Sequence, residues 1–155
     1  YAELTGYGAT SDGEDMVAPS GEGAIRCMQM AMSTAKRPID YINTHGTSTP
    51  VGDEREALAF HRVFGARAAE IPVSATKSLT GHLMGAAGAV EAVFTALSVH
   101  HQVIPGTLHT RNVDPACNLN VSRETRSAEI RTAVSNNVGL GGHNGAIVLR
   151  RWTGK

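Results

Sequence analysis

Residues 38–75, PIDYINTHGTSTPVGDEREALAFHRVFGARAAEIPVSA, decide how the rest of the chain is read. Pro38 to Asn43 is a short apolar strand that runs into Thr44-His45-Gly46-Thr47-Ser48-Thr49-Pro50, a set of hydroxyls around one histidine. A helix follows from near Gly52 to Phe64, and its early acids Asp53, Glu54 and Glu56 suit the positive end of a helix dipole. Ile71 to Ala75 is the next strand. Strand, turn, helix, strand is the unit from which parallel sheets are built.

The same grammar extends in both directions. Upstream, Ala2 to Tyr7 alternates as a strand, Ala9 to Gly21 is a loop rich in Gly, Ser, Asp and Pro, and Glu22 to Lys36 places Ile25, Met28, Ala31 and Met32 near one helical face. Downstream, the turn Thr76-Lys77-Ser78 and Gly81-His82 lead into a small-residue helix from Gly85 to His100. Gln102 to Ile104 and Asn118 to Val121 read as short strands. Glu129 to Asn136 and Ala146 to Trp152 are stronger ones, joined through the glycine loop 139–145. Alternating strand and helix followed by a hairpin-like pair predicts an α/β fold, a mixed sheet with helices on its faces. No linker-like shift in composition interrupts it, so residues 1–155 are read as one domain.

Composition narrows the function. The 14 basic and 14 acidic residues balance to a net charge of +0, which argues against nucleic acid held by bulk charge and against a basic membrane-surface protein. The longest apolar run, Gly85 to Leu97, is broken by Glu91 and is too short to span a bilayer. Two cysteines build no disulfide framework, which suits a reducing, cytoplasmic setting. Without an initiator Met or a signal-peptide pattern, Tyr1 reads as an internal residue and the chain as a fragment of a longer one. The Gly6 and Gly139 GxG pairs lack the third glycine of a dinucleotide loop, no Walker A loop exists, and no HExxH pair suggests a metal.

What remains is a set of polar groups at one structural address. His45, Lys77 and His82 all follow expected strands and precede expected helices, and in a parallel sheet such turns gather at the carboxyl edge, where ligands bind. Singly, each could be a surface or capping residue. Three at equivalent positions, flanked by Gly46, Gly81 and Gly85, point to a shared site.

These motifs carry a resemblance. His45-Gly46-Thr47-Ser48-Thr49-Pro50-Val51-Gly52-Asp53, then Thr76-Lys77-Ser78-Leu79-Thr80-Gly81-His82 with Gly85-Ala86-Ala87-Gly88, and the loop from Asn136 to Gly145 closely resemble the C-terminal half of β-ketoacyl-acyl carrier protein synthases. The opening Tyr1-Ala2-Glu3 with Gly6-Tyr7-Gly8-Ala9-Thr10-Ser11-Asp12 is most similar to the bacterial type I and II elongating enzymes. The resemblance implies a thiolase-like fold of which this chain is one half. It also implies an acyltransferase chemistry, decarboxylative Claisen condensation of an acyl thioester with malonyl-acyl carrier protein in fatty-acid elongation.

By that resemblance His45 and His82 donate N–H bonds to the developing enolate, and Lys77, together with an acid matching Glu56, supports them. Thr47 and Thr49 match hydroxyls that hold the phosphopantetheine arm of the carrier protein, with helix capping as their other reading. Leu140, between Gly139 and Gly141, matches the residue whose backbone N–H meets a thioester oxyanion. The family's usual pattern has Phe at the positions of Val138 and Leu140, and the second Phe gates the acyl pocket. The resemblance implies no cofactor beyond the carrier's phosphopantetheine, and it implies as partners acyl carrier protein, the N-terminal half and a second copy in a homodimer.

The family's nucleophilic cysteine belongs to the N-terminal half, so this chain alone is expected to be inactive. Cys27, inside a helical apolar pattern, and Cys117, in a turn after Asp114-Pro115-Ala116, read as structural. Two other readings stay open: a non-catalytic partner subunit resembling a chain-length factor, and a polyketide ketosynthase.

Overall fold

A computed structural model describes residues 1–13, 15 and 20–154. Along them run β1 (Ala2–Ser11), α1 (Glu22–Met32), β2 (Tyr41–Asn43), α2 (Pro50–Phe64), β3 (Pro72–Ser74), α3 (Lys77–Thr80) and α4 (Ala87–His101). There follow β4 (Val103–Ile104), β5 (Asn120–Val121), β6 (Arg126–Ser127), β7 (Thr132–Gly139) and β8 (His143–Arg151). Six strands form one sheet in the order β1-β8-β7-β2-β3-β5, while β4 and β6 pair separately. β2 is parallel to both β3 and β7, β3 is parallel to β5, and β8 is antiparallel to β7 and β1. The sheet is therefore mixed, with its parallel part on one side and a hairpin on the other.

Alternation along the strands divides the core in two. Ile42, Val134, Ala146 and Val148 join Cys27, Met28, Ala31 and Phe60 on the α1 and α2 face. Their chain neighbours Tyr41, Ala133 and Leu149 join Val99 of α4, with Ile104 and Ile130, on the other. α1 lies very close to β1 because Gly6 and Gly8 face it. A Cβ at Gly6 would fall on the Ala31 carbonyl oxygen, and one at Gly8 on the Cys27 carbonyl oxygen.

Several boundaries differ from the sequence reading, each for a local reason. β1 runs on to Ser11, since β8 continues to pair with it as far as Ser11 opposite His143. The expected loop 9–21 thus begins later, and its residues 14 and 16–19 lie outside the described ones. α1 stops at Met32, where the Ser33 N–H turns back to the carbonyls of Gln29 and Met30. α2 starts at Pro50, whose fixed φ suits the first helical position. Lys77 to Thr80 forms a helical turn, and a short 3₁₀ turn at Met84–Ala86 precedes α4.

Candidate active site

The parallel strands place the site. His45 lies two residues beyond β2, Lys77 begins the helical turn after β3, and β7 carries Asn136 and Asn137 past the same edge, since Asn43 pairs with Ser135. His82 arrives after α3 through Gly81, whose φ of 72° lies in the left-handed region open to glycine. The rings of His45 and His82 meet edge to face, with centroids 5.4 Å apart. His45, Lys77 and His82 are thus brought together.

The hydrogen bonds fix what these rings can do. The Lys77 ammonium donates to Glu91 Oε1 at 2.6 Å and to the His45 carbonyl, and it lies 3.2 Å from His45 Nδ1. Three N–H groups thus face three acceptors, and the Lys77 contact calls for a lone pair on Nδ1 with the His45 proton on Nε2. Burial, then the Lys77 charge, then His82 hold the His45 ring well below its ordinary value, at about 4, against a hydrogen bond with Asn137 that acts the other way. At His82, Nδ1 accepts the Met84 N–H at 3.2 Å, which leaves Nε2 as the position for the ring proton. The Lys77 and Met84 contacts thus suit both imidazoles to donate from Nε2, and among the described residues neither Nε2 has a hydrogen-bond partner.

Glu56 meets the turn that carries His45 and makes no ion pair with Lys77. It is buried and accepts the backbone N–H of His45 at 2.8 Å, that of Gly46 at 2.9 Å and the Asn136 amide at 2.9 Å. Burial pushes its carboxyl up, while those three hydrogen bonds pull down. The acid that meets Lys77 is Glu91, and both side chains are almost fully buried. The only hint of Glu91 in the sequence was a single charge inside an apolar helix, a residue that burial would force to find a partner. Asn137, whose Oδ1 is 3.3 Å from His45 Nδ1, left no signal at all.

The threonines sit at the rim. Thr47 and Thr49 share a hydrogen bond of 3.1 Å between their hydroxyls, and neither side chain caps α2. Asp53 Oδ1 accepts the Ser48 N–H at 3.1 Å instead. Beside them a cleft of about 760 Å³ opens between α2 and the segment 107–117, lined in part by Gly46, Thr49 and Thr107. On the hairpin, Gly139 ends β7 and Leu140–Gly142 form the β7–β8 connection; Leu140 is exposed, and Val138 packs against the α1-side core. A Cβ at Gly142 would lie 2.5 Å from Asp12 Oδ1, so the end of β1 presses directly on this loop.

Neither cysteine resembles a nucleophile. The Cys27 thiol donates to the Gly8 carbonyl and burial pushes it up to about 11; burial and then Asp114 raise that of Cys117. Among the described residues no cluster of three His, Cys, Asp or Glu could hold a metal ion.

Comparison with known proteins shows the family. The pattern of the beta-ketoacyl synthase C-terminal domain matches residues 1–111. The chain is 52% identical over 152 residues to 3-oxoacyl-[acyl-carrier-protein] synthase 1 of Escherichia coli K12, covering 97% of this chain and 37% of that protein. A beta-ketoacyl synthase from Burkholderia phymatum superposes with a TM-score of 0.90 at 40% identity, over 97% of this chain and 38% of that one. A type II PKS ketosynthase solved with its acyl-carrier protein superposes at 0.93 with 34% identity, over 98% and 39%. The chain spans somewhat more than a third of the length of each of these relatives. On its sequence and its thiolase-like α/β fold, it belongs to the β-ketoacyl synthase family, as the C-terminal domain of that family.

Proposed function

We propose that this domain supplies the decarboxylation site of a β-ketoacyl-acyl carrier protein synthase, an acyltransferase of fatty-acid elongation. The observation that carries the reading is the pair of imidazoles packed edge to face, each with an N–H group at its Nδ1, from Lys77 at His45 and from the Met84 backbone at His82, an arrangement that suits both rings to donate from Nε2. A malonyl thioester needs such donors. As its C–C bond breaks and CO2 leaves, the bonding pair moves into the thioester and its carbonyl oxygen becomes an enolate oxygen, and fixed N–H groups lower the energy of that charge. A cation in their place could surrender a proton instead.

The other residues follow from this step. Lys77, held by Glu91, calls for the Nε2–H tautomer of His45, Glu56 holds the turn that carries His45, and Thr47 and Thr49 contact the phosphopantetheine arm. The enolate carbon then attacks an acyl thioester on a cysteine of the N-terminal half, whose thiolate leaves, while the Leu140 N–H meets the oxyanion. No cofactor takes part beyond phosphopantetheine. Acyl carrier protein, that N-terminal half and a second copy of the whole protein are the proposed partners, in the cytoplasm. No helix of the described residues is long and apolar enough to cross a membrane.

Identity of 52% to synthase 1 against 34% to the polyketide enzyme favours fatty-acid elongation over polyketide assembly. The complete His45, His82 and Lys77–Glu91 set favours a catalytic subunit over a chain-length-factor-like one. The test is to supply the full-length protein with acyl- and malonyl-acyl carrier protein. A 3-oxoacyl product two carbons longer than the primer is expected, and its absence with an active reference enzyme alongside overturns the reading.

A further inference from the structure

Two side chains approach Nδ1 of His45, and they make opposite demands. The Lys77 ammonium, 3.2 Å away, has only donors and calls for a lone pair, whereas Asn137 Oδ1, 3.3 Å away, calls for a proton. Lys77 is committed, since Glu91 and the His45 carbonyl hold its other two N–H groups. Asn137 is free to choose. A half-turn of its carboxamide exchanges the oxygen for an N–H with almost no change of shape, and then both neighbours agree on an Nε2–H ring. Its seat is fixed: Asn137 pairs with Gly145 in the hairpin and lies against Gly88 of α4, where an added Cβ would come within 3.6 Å of the amide carbon.

We propose that Asn137 is a positioning residue that sets which tautomer of His45 meets the substrate. With its N–H end toward Nδ1 it reinforces Lys77 and keeps His45 a donor at Nε2. With its oxygen there it opposes Lys77 and turns Nε2 into an acceptor, which cannot stabilise an enolate. The rate consequence rests on the ketosynthase reading, while the tautomer itself does not.

The experiment is ¹⁵N NMR of the histidine ring nitrogens in the full-length protein at neutral pH, with His45 assigned by its loss in His45→Gln. Wild type and Asn137→Ala are expected to show an unprotonated Nδ1 and a protonated Nε2. Asn137→Asp, which offers only acceptors, is expected to protonate Nδ1. CO2 release from a malonyl thioester should then fall about 100-fold or more in Asn137→Asp, and clearly less in Asn137→Ala, where Lys77 alone still calls for a lone pair on Nδ1. An unprotonated Nδ1 in Asn137→Asp, or equal losses in the two variants, overturns the proposal.

Should Asn137→Asp not fold, Lys77→Met carries the test. Without the ammonium the proton should move to Nδ1, and adding Asn137→Ala should abolish that preference. Identical spectra with and without Asn137→Ala overturn the proposal. A wild type that shows the expected nitrogens but releases no CO2 supports the tautomer assignment and counts against the ketosynthase reading alone.

Discussion

Lys77 and Glu91 meet at 2.6 Å with side chains only 5% and 3% exposed, so each is tolerable in the core only because of the other. Glu91→Gln leaves a buried ammonium without its counter-charge and should cost about 3–5 kcal/mol in urea unfolding, while Glu91→Leu with Lys77→Met should recover most of it. A Glu91→Gln protein as stable as wild type would show that the pair is not what holds Lys77. His45 makes a pH-dependent contribution whose sign follows from its depressed value. As pH falls from 6.5 toward about 4, the unfolded chain takes up a proton at this ring and the folded chain does not. Stability present above pH 6.5 is therefore lost toward pH 4, by up to about 3 kcal/mol before solvent screening is discounted. Unfolding measured across that window should be flatter in His45→Gln, and an unchanged slope would contradict the burial of the ring. Of these residues, His45, Lys77 and His82 were legible because their position after a strand advertised them. Glu91 was not, because its partner stands 14 residues away and meets it only through the fold. Glu56 was legible as a residue but not as a support for the His45 turn, since nothing in the sequence says which backbone a carboxylate will hold.

The elements repeat the lesson on a larger scale. Apolar residues at helical spacing were enough for α1, early acids for α2 and a run of small residues for α4; such signals failed at ends, where a cap or a paired neighbour decides. The extension of β1 to Ser11 depends on β8, more than 130 residues away, and no local pattern announces it. The contact of β1 with α1 offers a sharp check. In Gly8→Ala the new methyl meets the Cys27 carbonyl, so the helix must move or the strand must bend, at a cost of about 1–3 kcal/mol or more. A thermal midpoint equal to wild type would show that α1 has room to yield. The β7–β8 connection makes a prediction about selectivity. Leu140 is exposed at the tip and lacks the flat ring of the Phe expected there, so Leu140→Phe should alter the dependence of condensation rate on acyl chain length more than it alters decarboxylation. An unchanged chain-length profile would mean that residue 140 is not a gate.

At the scale of the whole molecule, one face of the sheet is incompletely covered. Leu4 and Tyr7 stand opposite Leu149 and Ile147, which face α4, and both are exposed, as is Val93 on α4 itself. Leu83, Met84 and Leu140 are exposed as well, and open apolar side chains of this kind suit a covering partner. Residues 1–155 expressed alone should therefore self-associate or bind a hydrophobic dye, and a dye-silent, cooperative monomer would count against a partner for this face. The fold class was legible at this scale because alternation of strand and helix is a global signal, whereas the open face was not, since exposure is a property of the assembled sheet. The central claim, that two Nε2–H imidazoles stabilise an enolate, is tested most directly by CO2 release from malonyl-acyl carrier protein in the full-length protein. His45→Ala and His82→Ala should each lower that rate by at least about tenfold, since one lost oxyanion donor commonly costs more, with the fold intact by circular dichroism. Undiminished CO2 release in either variant would contradict the account.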